Sequence, residues 1–354
     1  MDRSEILSLL KEEAPDRLEG LWAEADRVRR DTVGDEVHLR GLVEISNHCV
    51  RHCAYCGLRR DNRKLRRYRM AEGEILASAM LAVELGYGAT VLQSGEDYGI
   101  DATWLARIIR RIKAETPLAV TLSLGERPES DLGIWREAGA DRYLLRFETS
   151  NGELYRHIHP PIPGRSSDRI AIIRTLLALG YETGSGVMIG LPGQTYEDLA
   201  RDIETFGQLG LEMIGVGPYI PHPETPLGRQ EDVPPAGNDR QVPNSELMTY
   251  KVLALTRITC PLTNIPSTTA LATLNEAEGR QLGLMRGANV VMPNLTPMKY
   301  RECYEIYPGK ACLLEAVGEF DARLKESIAA MGRKVGRGRG DSPMRKRGPT
   351  GGGM

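Results

Sequence analysis

Short apolar, β-branched runs alternate with amphipathic helical stretches along most of this 354-residue chain, and that alternation leaves few folds open. VHLRGLVEIS (37–46), ATVLQS (89–94), LAVTLSL (118–124), DRYLLRFE (141–148), TGSGVMIG (183–190), MIGVGPYIP (213–221), NIPSTTA (264–270) and Ala288–Met292 read as eight strands. Between them lie helical stripes. One runs through Ile75, Leu76, Ala79, Met80 and Val83 and stops at Gly86, and another through Trp104, Ile108 and Ile112. Others cover Ile134–Ala138, Ile170–Leu179 and Leu247–Ile258. Thr195 with Asp198 three residues on predicts a capping box, opening a helix that buries Leu199, Ile203 and Phe206. Strand–helix–strand units pair in parallel through right-handed crossovers. Eight of them predict a single closed (β/α)8 TIM-type barrel over 37–332, preceded by a helical extension over 1–36. An open doubly wound sheet is the competing layout, but no G-x-G-x-x-G follows the first strand.

Composition narrows the class further. Apolar residues make up 41% and charged residues 27%, the balance of a globular chain. No run of 18 apolar residues exists, which excludes a membrane helix from the expectation. The charged N-terminus lacks an apolar signal core, so the chain is expected to be cytoplasmic, with reduced thiols. The net charge of −2 is unevenly spread, because the tail from Arg333 to Met354 holds seven basic residues and one acidic. That Gly/Arg-rich tail (333–354) is expected to be disordered. The rest of the chain has no basic excess, so a nucleic-acid partner is not expected.

In such a barrel the reactive groups sit at the C-terminal ends of the strands. Those ends are polar here: Asn47, Gln93, Ser94, Glu96, Asp97, Ser123, Glu126, Arg146, Glu148, Thr149, His222 and Asn294. Three of the six cysteines fall in EISNHCVRHCAYCGLRRDN (44–62), as Cys49, Cys53 and Cys56 in a C-x-x-x-C-x-x-C spacing. A structural zinc site needs four closed ligands, and only His48 or His52, each strained by its nearness to a cysteine, could supply the fourth. Cys260, Cys303 and Cys312 stand singly and read as small packing residues. A 4Fe–4S cluster normally takes four thiolates. Three leave one iron open to a small molecule.

That motif, in the loop after the first strand and with Tyr55 before its last cysteine, resembles the signature of the radical SAM superfamily. YRM (68–70), VLQSGED (91–97), TLSLGE (121–126), AGADRYLLRFET (138–149), GYETGSGVMIGLPGQT (180–195), NIPSTTA, ANVVMPNLTP (288–297) and YPGKAC (307–312) look like the FeFe-hydrogenase maturase HydE family. The methylornithine synthase and biotin synthase families resemble the chain less closely. The resemblance spans roughly residues 30–315. It implies that Cys49, Cys53 and Cys56 hold one 4Fe–4S cluster whose open iron binds S-adenosylmethionine. One electron then cleaves the sulfonium to a 5′-deoxyadenosyl radical. The resemblance implies that the turn Ser94, Gly95, Glu96, with Gln93 before it, receives the methionine amino group. Arg146 and Glu148 fall on the cofactor, and Arg169 on the methionine carboxylate. Arg165 competes with Arg169, because HPPIPGRSSD is about two residues longer than the family's pattern. Met188 lies on the adenine side, Tyr55 beside the cluster, and Tyr307 over the active site.

For the substrate, the resemblance implies Thr121, Ser123, Arg142, Thr268 and Thr269. Alternation puts Arg142, Leu144 and Arg146 on one face, and an arginine inside a barrel needs an anion. Adjacent Thr268 and Thr269 cannot both face inward on a regular strand. The implied activity is HydE-type conversion of a cysteine-bound iron carbonyl cyanide precursor towards the di-iron subcluster. The alternatives are a methylornithine-synthase-type mutase acting on an amino acid and a non-catalytic zinc scaffold. Implied partners are that organometallic or amino-acid substrate, other hydrogenase maturases, and an electron donor such as ferredoxin or flavodoxin. Many members carry a second cluster. Cys312 fits its first cysteine, but LLEAVGEFDARLKES lacks the following pair, so none is expected here.

Overall fold

The computed structural model describes residues 1–164, 167–231, 233–234, 240–311 and 316–346. Six parallel strands follow one another in sequence order: β1 (Glu36–Ser46), β2 (Ala89–Ser94), β3 (Ala119–Ser123), β4 (Arg142–Leu144), β5 (Glu182–Ile189) and β6 (Met213–Pro218). On the other side of β1 lie β7 (Val290–Val291) and β8 (Lys334–Val335). Between β6 and β7 runs an extended segment held by two parallel bridges, Met213 to Asn264 and Pro266 to Val290. Through it the barrel closes with eight staves, as the strand–helix alternation implies.

The seventh stave corrects the expectation of a strand over 264–270. Pro266 has no N–H to give a ladder, and Thr268 instead caps the helix Thr269–Leu274, its hydroxyl accepting from the Leu271 N–H. β4 is also shorter than DRYLLRFE suggests. Past Leu144 the pairing with β5 thins to single backbone bonds, from Leu145 N–H to the Gly184 carbonyl, from Glu148 N–H to the Gly186 carbonyl and from Met188 N–H to the Glu148 carbonyl. The chain turns at Glu148, whose φ is +65°.

The helices coat the barrel. Thr195 and Asp198 form the expected capping box at the start of the helix Tyr196–Gln208, which buries Leu199, Ile203 and Phe206. The helix Glu72–Glu84 buries Ile75, Leu76, Ala79 and Ala82, whereas Met80 of the expected stripe is exposed. The N-terminal helices Arg3–Leu10 and Pro15–Val33 pack on Tyr196–Gln208 and Glu246–Thr259.

The N-terminal end of the barrel is polar and covered. Arg142 is fully buried there, with Nε 3.0 Å from Glu182. Arg333–Lys346 of the basic tail is ordered beneath it, which corrects the expectation of disorder for those residues; 347–354 lie outside the described residues. Lys334–Val335 pairs with Glu36–Val37. Asp341 lies 2.7 Å from Arg142, Arg339 2.6 Å from Asp141, and Arg345 2.7 Å from Glu212. Arg339, Asp341 and Arg345 thus spend their charges on partners at the strand starts.

Candidate active site

The C-terminal mouth opens into a cavity of about 250 Å³ onto which Cys49, Cys53 and Cys56 all face. The cysteine loop is held from several sides. Val50 N–H donates to the Glu96 carbonyl (3.0 Å), Ala54 N–H to Ile158 (2.8 Å) and Gly57 N–H to Ile306 (3.0 Å). Arg67 donates to the carbonyls of Asn47, Leu58, Arg59 and Asn62. Gly95 comes so close that a Cβ there would lie 2.3 Å from the His48 carbonyl oxygen and 2.9 Å from Cys49 Cβ. Only glycine allows the turn after β2 to press against the cysteine loop in this way.

Cys49, Cys53 and Cys56 are free thiols. Burial pushes Cys53 well above the ordinary thiol value, and the neighbouring Cys49 and Cys56 push it further. Cys56 is pushed up to about 12, by burial first and then by Cys49. Three thiols, Cys53 buried and Cys49 and Cys56 half-buried, that oppose ionisation suit a cationic iron–sulfur core, which favours all three thiolates together. Among the described residues no three His, Cys, Asp or Glu side chains are grouped to hold a single metal ion. A cubane takes each thiolate on a different iron, so its cysteines need not meet at one point. His52, considered as a zinc ligand, has Nδ1 2.8 Å from Asp61.

Beside the thiols lies a buried ionic network. Arg51, inside the cysteine motif, reaches Glu96 at 2.7 Å and Glu126 at 2.6 Å. Arg169 donates from Nε to Glu126 (2.9 Å) and from its terminal nitrogens to the Arg146 carbonyl (2.7 Å) and His159 Nε2 (2.7 Å). Three of its five N–H groups are thereby used, which leaves one on each terminal nitrogen. Burial, with Arg169 and Arg51 nearby, pushes His159 down to about 2, so its ring is neutral and accepts from Arg169. Glu148 lies 3.1 Å from Arg146 and 3.8 Å from Arg169.

The cavity gathers most of the residues expected from the sequence: Tyr55, Gln93 through Glu96, Ser123, Arg146, Glu148, Arg169, Met188, Thr268 and Tyr307. Three substrate candidates are not on it. Arg142 starts β4 and therefore sits at the opposite end, in its pair with Glu182 and Asp341. Thr121 is buried two residues below Ser123, in register with Arg142. Thr269 begins a helix and turns away from the lining that its neighbour Thr268 joins. Arg165 and Cys312 lie outside the described residues. The site residues without an assigned role in the sequence were Arg51, Glu126, His159, Tyr219 and Tyr304. Arg51 carried one signal, a charge between two cysteines of a buried loop. Tyr304 lines the cavity and its hydroxyl accepts from Gln93 Nε2 at 3.2 Å.

Residues 43–206 match the Radical SAM superfamily. Over 319 residues the chain is 46% identical to the FeFe hydrogenase maturase subunit HydE of Thermotoga maritima, covering 90% of this chain and 87% of that one. The chain belongs to the radical SAM superfamily, in its HydE family. It is therefore an enzyme, and the family implies a 4Fe–4S cluster and S-adenosylmethionine. The 3-methylornithine synthase of Methanosarcina barkeri is a more distant relative of this HydE-family chain, 27% identical over 91% of this chain and 84% of its own. The crystal structure of methylornithine synthase, PylB, shares the fold with a TM-score of 0.80 at 24% identity, over 95% of this chain and 94% of its own.

Proposed function

We propose that this chain performs a radical step of FeFe-hydrogenase maturation, on a cysteine-bound iron carbonyl cyanide precursor of the di-iron subcluster. One observation carries the reading: three thiols and the Arg169–Glu148 pair converge on one cavity, in a chain 46% identical to HydE along nearly its whole length. Cys49, Cys53 and Cys56 would hold the single cluster. When bound, that cluster and S-adenosylmethionine supply one-electron cleavage of the sulfonium and a 5′-deoxyadenosyl radical. The turn Ser94–Glu96 would receive the methionine ammonium. Arg169 has two N–H groups left for the carboxylate, in the planar geometry that suits it. Glu148, with Arg146 beside it, would accept from the ammonium or a ribose hydroxyl. Tyr55 would sit beside the cluster and Met188 on the adenine side, and Gln93 is oriented by Tyr304. Ser123, Thr268 and Tyr307 line the same cavity and would bind the substrate while the mouth excludes water.

The partners in this reading are the small organometallic substrate, other maturases, and a ferredoxin or flavodoxin as electron donor. No helix of the described residues is long and apolar enough to cross a membrane, and we place the enzyme in the cytoplasm. The test is anaerobic reconstitution with iron and sulfide, then S-adenosylmethionine and dithionite. The wild type should yield 5′-deoxyadenosine, and Cys53→Ala should lose both cluster and product. Expression in a host lacking its own HydE should restore hydrogenase activity. Product without any restoration would overturn the maturation reading and leave the amino-acid mutase in its place.

A further inference from the structure

The cysteine loop continues into RRDNRKLRRYR (59–69), which holds seven basic residues and one acidic in a chain whose net charge is −2. This stretch returns to the barrel at Met70, whose N–H donates to the Ile45 carbonyl at 2.8 Å, so it is fixed beside the cysteines. A recess on the outer side of the loop is lined by His48, Cys49, Arg60, Arg67, Arg69 and Asp97. Cys49 lines both this recess and the inner cavity. It is the cysteine through which a bound cluster would come nearest to this outer face.

The charges here divide into two groups. Arg67 has its donors occupied by backbone carbonyls, although among the described residues its charge meets no carboxylate, and Arg69 grips Asp97 with both branches, at 2.7 and 2.9 Å. Asp61 is shared by Arg59 and His52, each at 2.8 Å. The acids of this face are thus already neutralised. Arg60 and Arg63 are exposed, and neither side chain makes a hydrogen bond or ion pair among the described residues. Arg66, also exposed, meets among the described residues only Cys303 Sγ and the Lys299 carbonyl, so its charge too is uncompensated. Uncompensated cations on one face of a chain with a negative total set up a local field that attracts an anionic surface.

We infer that this face docks a small acidic one-electron carrier, an iron–sulfur or flavin protein, against the Cys49 side of the cluster. The inference rests on the radical reading above, which consumes one electron per cleavage. The step balances simply: the reduced carrier loses one electron, the cluster gains it, and no bond of this chain forms or breaks. Electron-transfer encounters are small and steered by charge more than by apolar burial, which fits a cationic segment beside the recess that Cys49 lines.

The test uses the full chain reconstituted with its cluster, with a plant-type ferredoxin and a flavodoxin as separate probes. Binding is measured at about 50 mM and about 500 mM salt, where screening lengths differ severalfold. Arg60→Glu/Arg63→Glu should weaken binding of at least one carrier about tenfold at low salt, with the difference closing at high salt. Carrier-driven 5′-deoxyadenosine formation should fall, and dithionite-driven formation should hold. Arg30→Glu/Arg110→Glu makes the same charge change on distant exposed helix positions and should leave carrier binding unchanged. Unchanged carrier binding in the first variant, or an equal loss in the second, would overturn the docking site. So would a loss confined to a single-stranded RNA probe. Absence of product with dithionite would instead refute the radical reading, while the binding measurement still reports on docking.

Discussion

Glu126→Gln isolates the residue that joins the two buried arginines of the site. Glu126 accepts from Arg169 Nε (2.9 Å) and the Ser167 hydroxyl (2.8 Å) on one oxygen, and from Arg51 (2.6 Å) on the other. Arg51 keeps a second carboxylate, Glu96, at 2.7 Å. Among the described residues the one carboxylate Arg169 keeps is Glu148, at 3.8 Å. The loss therefore falls on Arg169. A glutamine fills the same space but offers one acceptor oxygen where there were two, so one guanidinium N–H must face an amide NH₂. Breaking a buried ion pair outright costs about 3–5 kcal/mol. With the shape and one acceptor retained, about 2–3 kcal/mol is expected. An unfolding entropy of about 2.1 cal/mol/K per residue over 354 residues converts this into a fall in Tm of about 3–4 °C. Arg169 also loses the carboxylate that holds its Nε, one of its three orienting bonds, so S-adenosylmethionine affinity should fall about tenfold, equivalent to about 1.4 kcal/mol. Calorimetry and equilibrium binding on the reconstituted protein read both. A Tm within about 1 °C of wild type, together with unchanged cofactor affinity, would refute the assignment of Glu126 as the residue that positions Arg169.

Two further perturbations test the frame of the site. Gly95→Ala would put a methyl 2.3 Å from the His48 carbonyl oxygen, an overpacking worth about 1–3 kcal/mol. Iron retained per chain after reconstitution should drop, and wild-type loading would mean that the close approach is not needed. Asp202 is fully buried, and burial pushes its carboxyl from an ordinary 3.8 up to about 7. The folded state thus holds this proton more tightly than the unfolded state. The stability it contributes is full below the unfolded value and is lost as pH rises through about 7. Asp202→Asn keeps an acceptor for the Ser150 N–H and cannot ionise. Urea midpoints at several pH values should show the variant gaining on wild type as pH rises from about 4 to about 7. A difference independent of pH would refute the buried, proton-holding carboxyl.

What could be read from the sequence was what is encoded locally. ATVLQS became a strand at those same residues, and Thr195 with Asp198 capped the helix that its pattern announced. The cysteine spacing located the site for the same reason, since its three thiols lie within one short loop. Arg142 shows where local information ends. Alternation put it on one face with Leu144 and Arg146, but only the register of β4 against Thr121 and Glu182 shows that it faces the closed end. Glu126 and His159 acquire their roles from Arg169, which is distant from Glu126 in sequence, and no local pattern encodes that pairing. The tail is the sharpest case. Its glycines and arginines read as a solvated segment, yet Arg339, Asp341 and Arg345 each meet an opposite charge at a strand start. Gly336 and Gly340 mark close approach, not looseness. A Cβ on Gly340 would lie 2.7 Å from the His38 ring, and one on Gly88 would lie 1.6 Å from the Gly338 carbonyl oxygen. Composition counts a glycine the same way whether it frees the chain or lets it pass against another backbone, and only the partner surface separates the two.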